Sequence, residues 1–239
     1  MRMKKFLIMV VVLAFATGAY GAFSENFDGF VNDQFLDGTP DDNGWHGWGG
    51  SPAAGAYVRD DQALSMPYSV EIAGGTDLVQ EYTGATSGIW RYTASQYIPN
   101  TAGGTTYFIL LNNFDDPTST YAWSVQLNFD TNANILNDDQ AAGAENMPII
   151  FDQWVSLVFD IDLDNNTVDT YYGGAFLSTH QWYDANGMPP HQKAIEAVDL
   201  YANNADPVYY DNISLSQVPE PGMFIMAGLG LLGLFFRRK

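Results

Sequence analysis

No cysteine occurs among the 239 residues, which removes disulfides, thiol catalysis and the common Cys-ligated zinc sites together. Basic residues are scarce: nine Lys and Arg stand against 28 Asp and Glu, for a formal charge of −19. Histidine is scarcer still, with His46, His180 and His191 set in no accompanying motif. The interior of the chain also lacks any long stretch with a 3.6-residue apolar period, so a helical bundle is excluded. The few bases are unevenly placed, because Arg2, Lys4, Lys5, Arg237, Arg238 and Lys239 lie at the two ends. Residues 23–217 keep only Arg59, Arg91 and Lys193 against 27 acidic residues, a formal −24. Such a field repels phosphate backbones and anionic membrane surfaces, which need Lys and Arg clusters, and nucleic-acid binding is set aside. The acidic excess fits the solubility of a secreted domain, or a demand for a divalent cation such as Ca²⁺, which takes Asp, Asn and carbonyl oxygens.

What is present at the two ends reads as addressing. Residues 1–22 begin with the positive Arg2, Lys4 and Lys5, continue through an apolar run at 6–16, and close on the small residues Ala19 and Gly21. That is the layout of a secretory signal peptide. At the other end, residues 218–239 divide into Pro219-Glu220-Pro221, fifteen apolar or Gly residues at 222–236, and the basic Arg237-Arg238-Lys239. Read as an ordinary transmembrane helix anchored by its basic end, this run is short. At 1.5 Å per residue it reaches about 22 Å against a hydrocarbon core of about 30 Å. In the order and position of its three parts it resembles the PEP-CTERM sorting signal. The resemblance implies a Gram-negative, polysaccharide-secreting bacterium. It also implies transient inner-membrane anchoring, recognition by an exosortase-type membrane protease, and delivery to the cell surface or the extracellular polysaccharide matrix, the setting of a biofilm.

Between these segments, residues 23–217 have the length of one domain. Aromatic residues make up 15% of the chain, enough for a large core without disulfides. Short strand-like runs at 62–65, 69–72, 78–82, 88–98, 105–112, 123–129, 154–162, 167–172, 175–179, 194–201 and 208–215 are separated by Gly, Pro, Asn and Asp turns, and the run at 105–112 is continuously apolar, as a strand buried on both sides or crossing a sheet centre would be. Within 123–129, Trp123, Val125, Leu127 and Phe129 alternate with Ser124, Gln126 and Asn128, predicting an apolar and a polar face. Residues 33–55 form a long loop in this reading, with Trp45, His46 and Trp48 inside it. Many short strands with no interposed helices call for an all-β, two-sheet antiparallel jelly-roll sandwich.

Glu25-Asn26-Phe27-Asp28, Gln153-Trp154 leading to Asp160-Ile161-Asp162, Tyr171-Tyr172-Gly173-Gly174 and Tyr209-Tyr210-Asp211-Asn212-Ile213 make this domain resemble the concanavalin A-like, laminin-G-like jelly rolls. The resemblance implies first and last strands side by side, and a structural Ca²⁺ held by Glu25 or Asp28 with Asp211. Asp160, Asp162 and Asp164 share a strand face and read as a solvated edge, with a second cation site as the alternative.

Two functional classes suit an exported jelly roll. One is a non-catalytic carbohydrate-binding or exopolysaccharide-associated protein, for which Trp45, Trp48 and Trp182 are the candidate binding rings because they sit in loops. Trp123 and Trp154, in strand patterns, are expected inside, and Trp90 is open. The other class is a polysaccharide hydrolase or lyase. No clustered Glu/Asp motif is visible, Glu71, Glu81, Glu145 and Glu196 are scattered, and three bases are a poor set for a uronate lyase. The expectation is therefore a non-enzyme, with a neutral glycan as the ligand. A structural surface protein without a small ligand fits the same absence of catalytic motifs.

Overall fold

The computed structural model describes residues 23–143, 146–187 and 191–219. Sixteen strands occupy them. The first eight are β1 (Phe23–Glu25), β2 (Phe35–Leu36), β3 (Trp45–Gly47), β4 (Ala56–Arg59), β5 (Ser69–Gly74), β6 (Asp77–Glu81), β7 (Ile89–Tyr97) and β8 (Thr105–Asp115). The rest are β9 (Thr120–Asp130), β10 (Ile135–Asp138), β11 (Asn146–Met147), β12 (Trp154–Asp162), β13 (Thr167–Tyr172), β14 (Ala175–His180), β15 (Ala197–Asn203) and β16 (Ala205–Gln217). Short 3₁₀ turns are the only helical elements among the described residues.

The strands form two antiparallel sheets packed as a sandwich. One sheet has nine strands in the order β14-β13-β12-β7-β16-β5-β4-β2, with β1 also paired to β16. The other has seven in the order β11-β10-β9-β8-β15-β6-β3. First and last strands do lie side by side, with Phe23 opposite Leu215 and Glu25 opposite Ile213. Alternation explains which residues face inward. Val155, Leu157, Phe159 and Ile161 of β12 and Phe108 and Leu110 of β8 bury their side chains between the sheets, while the residues between them point outward. Phe108 and Phe159 stack across the interface, ring centres 5.2 Å apart and planes 7° apart.

The central strand β8 is covered on both sides. Ile109, Leu111 and Phe114 point away from the main core and, with Val79 and Ala197, build a second apolar cluster on the outer face of the seven-stranded sheet. This explains the unbroken apolar run at 105–112.

Three expectations are corrected here. Residues 33–55 are not one loop but hold β2, β3 and three 3₁₀ turns. Residues 62–65 form no strand, because the N–H groups of Leu64 and Ser65 are taken by the Asp211 carboxylate (both 2.8 Å) rather than by a neighbouring strand. Trp154 lies half-buried on the outer face of the nine-stranded sheet against Tyr97 (5.7 Å between ring centres), since Val155 is the inward residue. Trp90, left open by the sequence, is in the main core.

Candidate functional site

The outer face of the seven-stranded sheet carries a groove of about 320 Å³ lined by Trp48, Asp77, Tyr107, Ile109, Trp123, Gln126, Asp199 and Tyr201. Each side chain gets there by a local rule. Tyr107 and Ile109 alternate with the inward Phe108 on β8. Asp199 and Tyr201 do the same around Leu200 on β15, and Asp77 sits opposite Tyr201 across the β6–β15 pairing.

Trp123 arrives by a break in alternation. Val125 pairs with the inward Leu110, but Trp123 pairs with the outward Leu111, so Ser124 is a bulged residue and the strand changes face there. The partner strand carries its own extra residue, Asn112, and the two buried bulge side chains satisfy each other through Asn112 Nδ2 donating to Ser124 Oγ (2.8 Å).

Trp48 is placed by glycines. A Cβ at Gly47 would lie 2.0 Å from the Ser51 carbonyl oxygen, and Gly49 and Gly50 adopt φ of 63° and 66°, the left-handed region. The tight turn drops the Trp48 ring onto Tyr121 (4.4 Å) and edge-on to Phe114 (5.2 Å). Tyr107 and Tyr201 stack nearly parallel at 5.6 Å and 21°.

The floor of this aromatic groove is acidic. Asp199 is 3% exposed and hydrogen-bonds Asp77, its diagonal neighbour on the adjacent strand. Asp77 Oδ1 and Asp199 Oδ1 are buried and no donor reaches either. Burial, together with the charge and hydrogen bond of Asp77, holds the Asp199 carboxyl well above the ordinary range. Burial also raises Asp77, against the opposing effect of its hydrogen bond to Asp199. No Lys, Arg or His lines the groove. The bases of the domain are engaged elsewhere, Arg59 with Asp33 and Glu71, Arg91 with Asp160, and Lys193 with Asp164. A second cavity of about 420 Å³, lined by Gln140, His180 and His191 among others, adjoins the groove through their common wall, Trp123.

Of the three rings expected to bind, only Trp48 lines the groove. Trp45 and Trp182 are corrected to core residues, both with 0% exposure, although Trp182 also borders the second cavity. Trp45 lies on β3 rather than in a loop and packs against Phe23 and Phe27, while Trp182 donates its Nε1–H to the Ala194 carbonyl (2.7 Å). Trp123, expected inside, stands on the surface instead. Gln126 lies on the face that the alternation of 123–129 marked as polar, whereas Asp77, Tyr107, Asp199 and Tyr201 carried no such mark. A charged Asp199 between Val198 and Leu200 was the one local signal available.

The acidic trio expected to hold Ca²⁺ does not fit an ion as it stands. Every carboxylate oxygen of Glu25, Asp28 and Asp211 already accepts from N–H or O–H groups, among them the amides of Phe27, Tyr68, Leu64, Ser65 and Asn212. Asp211 accepts two such bonds at each oxygen, so positive donor ends occupy the directions a cation would need there. Asp160, Asp162 and Asp164 are dispersed as well, the first to Arg91, the second to its own turn at Asn165 and the third to Lys193. Among the described residues no group of three or more His, Asp or Glu could hold a metal ion.

β16 delivers the chain out of the sandwich at Gln217, and Pro219 that follows it is exposed. Residues 217–239 match the PEP-CTERM protein-sorting motif. The PEP-CTERM motif implies an exported surface protein, a C-terminal membrane-associated sorting region and processing by an exosortase. Pro219 is the one member of the Pro-Glu-Pro sequence in view; Glu220, Pro221, Arg237 and Arg238 lie outside the described residues, as do residues 1–22. Among the described residues no helix is long and apolar enough to cross a membrane.

No curated protein matches the chain. Solved structures match its fold. A sialidase aligns with a TM-score of 0.55 at 11% identity over 84% of this chain and 19% of its own. Trypanosoma rangeli sialidase in complex with 2,3-difluorosialic acid gives 0.54 at 13% over 87% and 32%. The T. cruzi calreticulin globular domain gives 0.50 at 11% over 91% and 99%. The chain thus spans between a fifth and a third of the two sialidases. At these identities the likeness is one of fold: a jelly-roll-like β-sandwich.

Proposed function

We propose that the sandwich is a non-catalytic domain that binds a neutral glycan along the outer face of its seven-stranded sheet. The observation that carries this reading is the groove itself, where Trp48 and Trp123 stand at one end, Asp77, Tyr201 and Tyr107 form a row at the other, and Asp199 and Gln126 lie between. Flat rings stack on the apolar faces of sugar rings, and amide and carboxyl groups bond the hydroxyls. The −24 charge of residues 23–217 and the absence of a base in the groove disfavour an anionic polymer.

The geometry of the two carboxyls supports a binder over a hydrolase. A retaining glycosidase needs its carboxyls about 5–5.5 Å apart and an inverting one about 6.5–9.5 Å. Asp77 and Asp199 are in hydrogen-bond contact instead, too close to admit a glycosidic bond between them.

The test is a glycan array probed with the purified chain, with and without Ca²⁺, the eluate being assayed for released oligosaccharides. Binding to neutral glycans that is lost in Trp123→Ala upholds the proposal. Released oligosaccharides make the protein an enzyme, and silence across the array makes it a structural surface protein.

A further inference from the structure

Asp199 is a costly residue to keep. It lies at the centre of the outer face, opposite Ile109 on one side and Val79 on the other, with 3% exposure and a buried Oδ1 that no donor reaches. A carboxylate buried without donors is destabilising by several kcal/mol, and fold requirements alone would be better met by an apolar residue there. The groups around the pair show what it is not for. β6 contributes Asp77, β15 Tyr201, β8 Tyr107 and β9 Gln126, and the core-side Tyr210 of β16 feels the Asp199 charge from behind. Asp130 and Asp139 add further negative charge near Tyr107. No cationic side chain faces the pair, and neutralisation falls to a shared proton.

We propose that Asp77 and Asp199 act as one unit that accepts hydrogen bonds from two neighbouring hydroxyls of an uncharged sugar ring. This rests on the glycan-binding reading and narrows its ligand class. With one proton held between the two carboxyls the pair carries a single negative charge and keeps oxygens free to accept, and an adjacent diol supplies both donors. A uronate or sulfated unit would place a second anion against Asp77, Asp199, Asp130 and Asp139 and is rejected. Loss of the shared proton at alkaline pH leaves two like charges in contact and drives the carboxyls apart, so binding is lost with it.

The experiment uses the full purified chain and two readouts. In the first, carboxyl ¹³C NMR follows the aspartates from pH 4 to pH 10, assigned by Asp77→Asn and Asp199→Asn. One carboxyl of the pair still protonated at neutral pH is the expected result, and two ordinary titrations near the usual aspartate value overturn the proposal without any ligand. In the second, affinity is measured at pH 6 and pH 9 for neutral β-glucan, mannan, galactan and xylan oligosaccharides and for oligogalacturonate. The neutral oligosaccharide bound best should weaken about tenfold or more at pH 9, a change of about 1.4 kcal/mol, and oligogalacturonate should bind less than the neutral series at both. Asp199→Asn, isosteric and permanently neutral, should flatten the pH dependence. Neutral binding that is lost in Trp123→Ala but equal at both pH values, and unchanged in Asp77→Asn and Asp199→Asn, leaves the glycan site standing and overturns the carboxyl pair's role. Absence of all binding in the unsubstituted chain overturns both.

Discussion

The indole rings of Trp48 and Trp123 lie nearly parallel, with 10° between their planes and 6.2 Å between their centres, although one is held by a glycine turn and the other by a bulge. Two independent backbone devices thus serve one aromatic platform. Their roles in stability differ. Trp48 also packs on Phe114 and Tyr121, each aromatic contact being worth about 0.5–1.5 kcal/mol, whereas Trp123 stands at the groove wall. Both alanine variants should weaken glycan binding about tenfold or more, about 1.4 kcal/mol. In thermal melts Trp48→Ala should lower Tm by several degrees and Trp123→Ala by less. A Trp123→Ala variant that melts far below Trp48→Ala would falsify the surface assignment of Trp123.

Trp45 and Trp182 make the opposite case, and phenylalanine separates them. Both are fully buried, and truncation to alanine costs about 3–5 kcal/mol at such sites. Trp45 Nε1 has no hydrogen-bond partner, so Trp45→Phe removes an orphaned donor along with some volume. Trp182 Nε1 donates to the Ala194 carbonyl, so Trp182→Phe strips a buried acceptor of that bond at an added cost of about 1–3 kcal/mol. Urea unfolding should therefore rank Trp182→Phe as the less stable of the two. Equal midpoints would mean that the Ala194 carbonyl finds another donor.

A titratable contact joins the two sheets where the edge strand β14 meets β10. His180 of β14 lies 3.1 Å from Asp138 Oδ2 of β10, which also accepts from Ser178 Oγ at 2.5 Å. Burial disfavours the imidazolium, but the hydrogen bond and charge of Asp138, with the Gln181 carbonyl, outweigh it and raise the His180 pKa above 6.5. A raised cation pKa adds stability in full below the unfolded value of about 6.5, and that stability is lost as pH rises through the folded value. His180→Ala should cost about 3 kcal/mol at pH 6, where it leaves Asp138 buried without its charge partner, and less at pH 9. The check is a pair of denaturation series at the two pH values. A gap between variant and parent that widens toward pH 9 would sink the ion pair.

Much of the sandwich was legible because alternation is a local property. β12 and β13 fall on the residues their patterns mark, 154–162 and 167–172, since Val155, Leu157, Phe159 and Ile161 keep one face apolar throughout and Val168, Thr170 and Tyr172 alternate inward on the next strand. The binding face was not legible for the same reason. Trp123 sits in a run that alternates in sequence, and only the Ser124 bulge, visible in the pairing with β8, turns it outward. Trp45 sits among Gly, Pro and Asp residues that mark a loop, yet three residues of pairing with β6 make it strand and core. The Asp77–Asp199 contact depends on the register of two strands far apart in sequence, which no local spacing encodes.

The residue the sequence marked for a cation turns out to be a clamp. Asp211 receives the amides of Leu64, Ser65 and Asn212 and the Ser65 hydroxyl, tying residues 64 and 65 to the last strand across a separation of up to 147 positions. Hydrogen bonds to a charged acceptor are worth about 1.5–3 kcal/mol each, and losing the acceptor strands buried donors, so Asp211→Ala should cost about 3 kcal/mol or more. Because those donors fill the directions a Ca²⁺ ion would use, chelation should leave the melting temperature of the unsubstituted chain unchanged, and added Ca²⁺ should not raise it. A chelator-induced drop in Tm that is absent from Asp211→Ala would show that an ion displaces these donors in solution, and would return Asp211 to the role its strand position first implied.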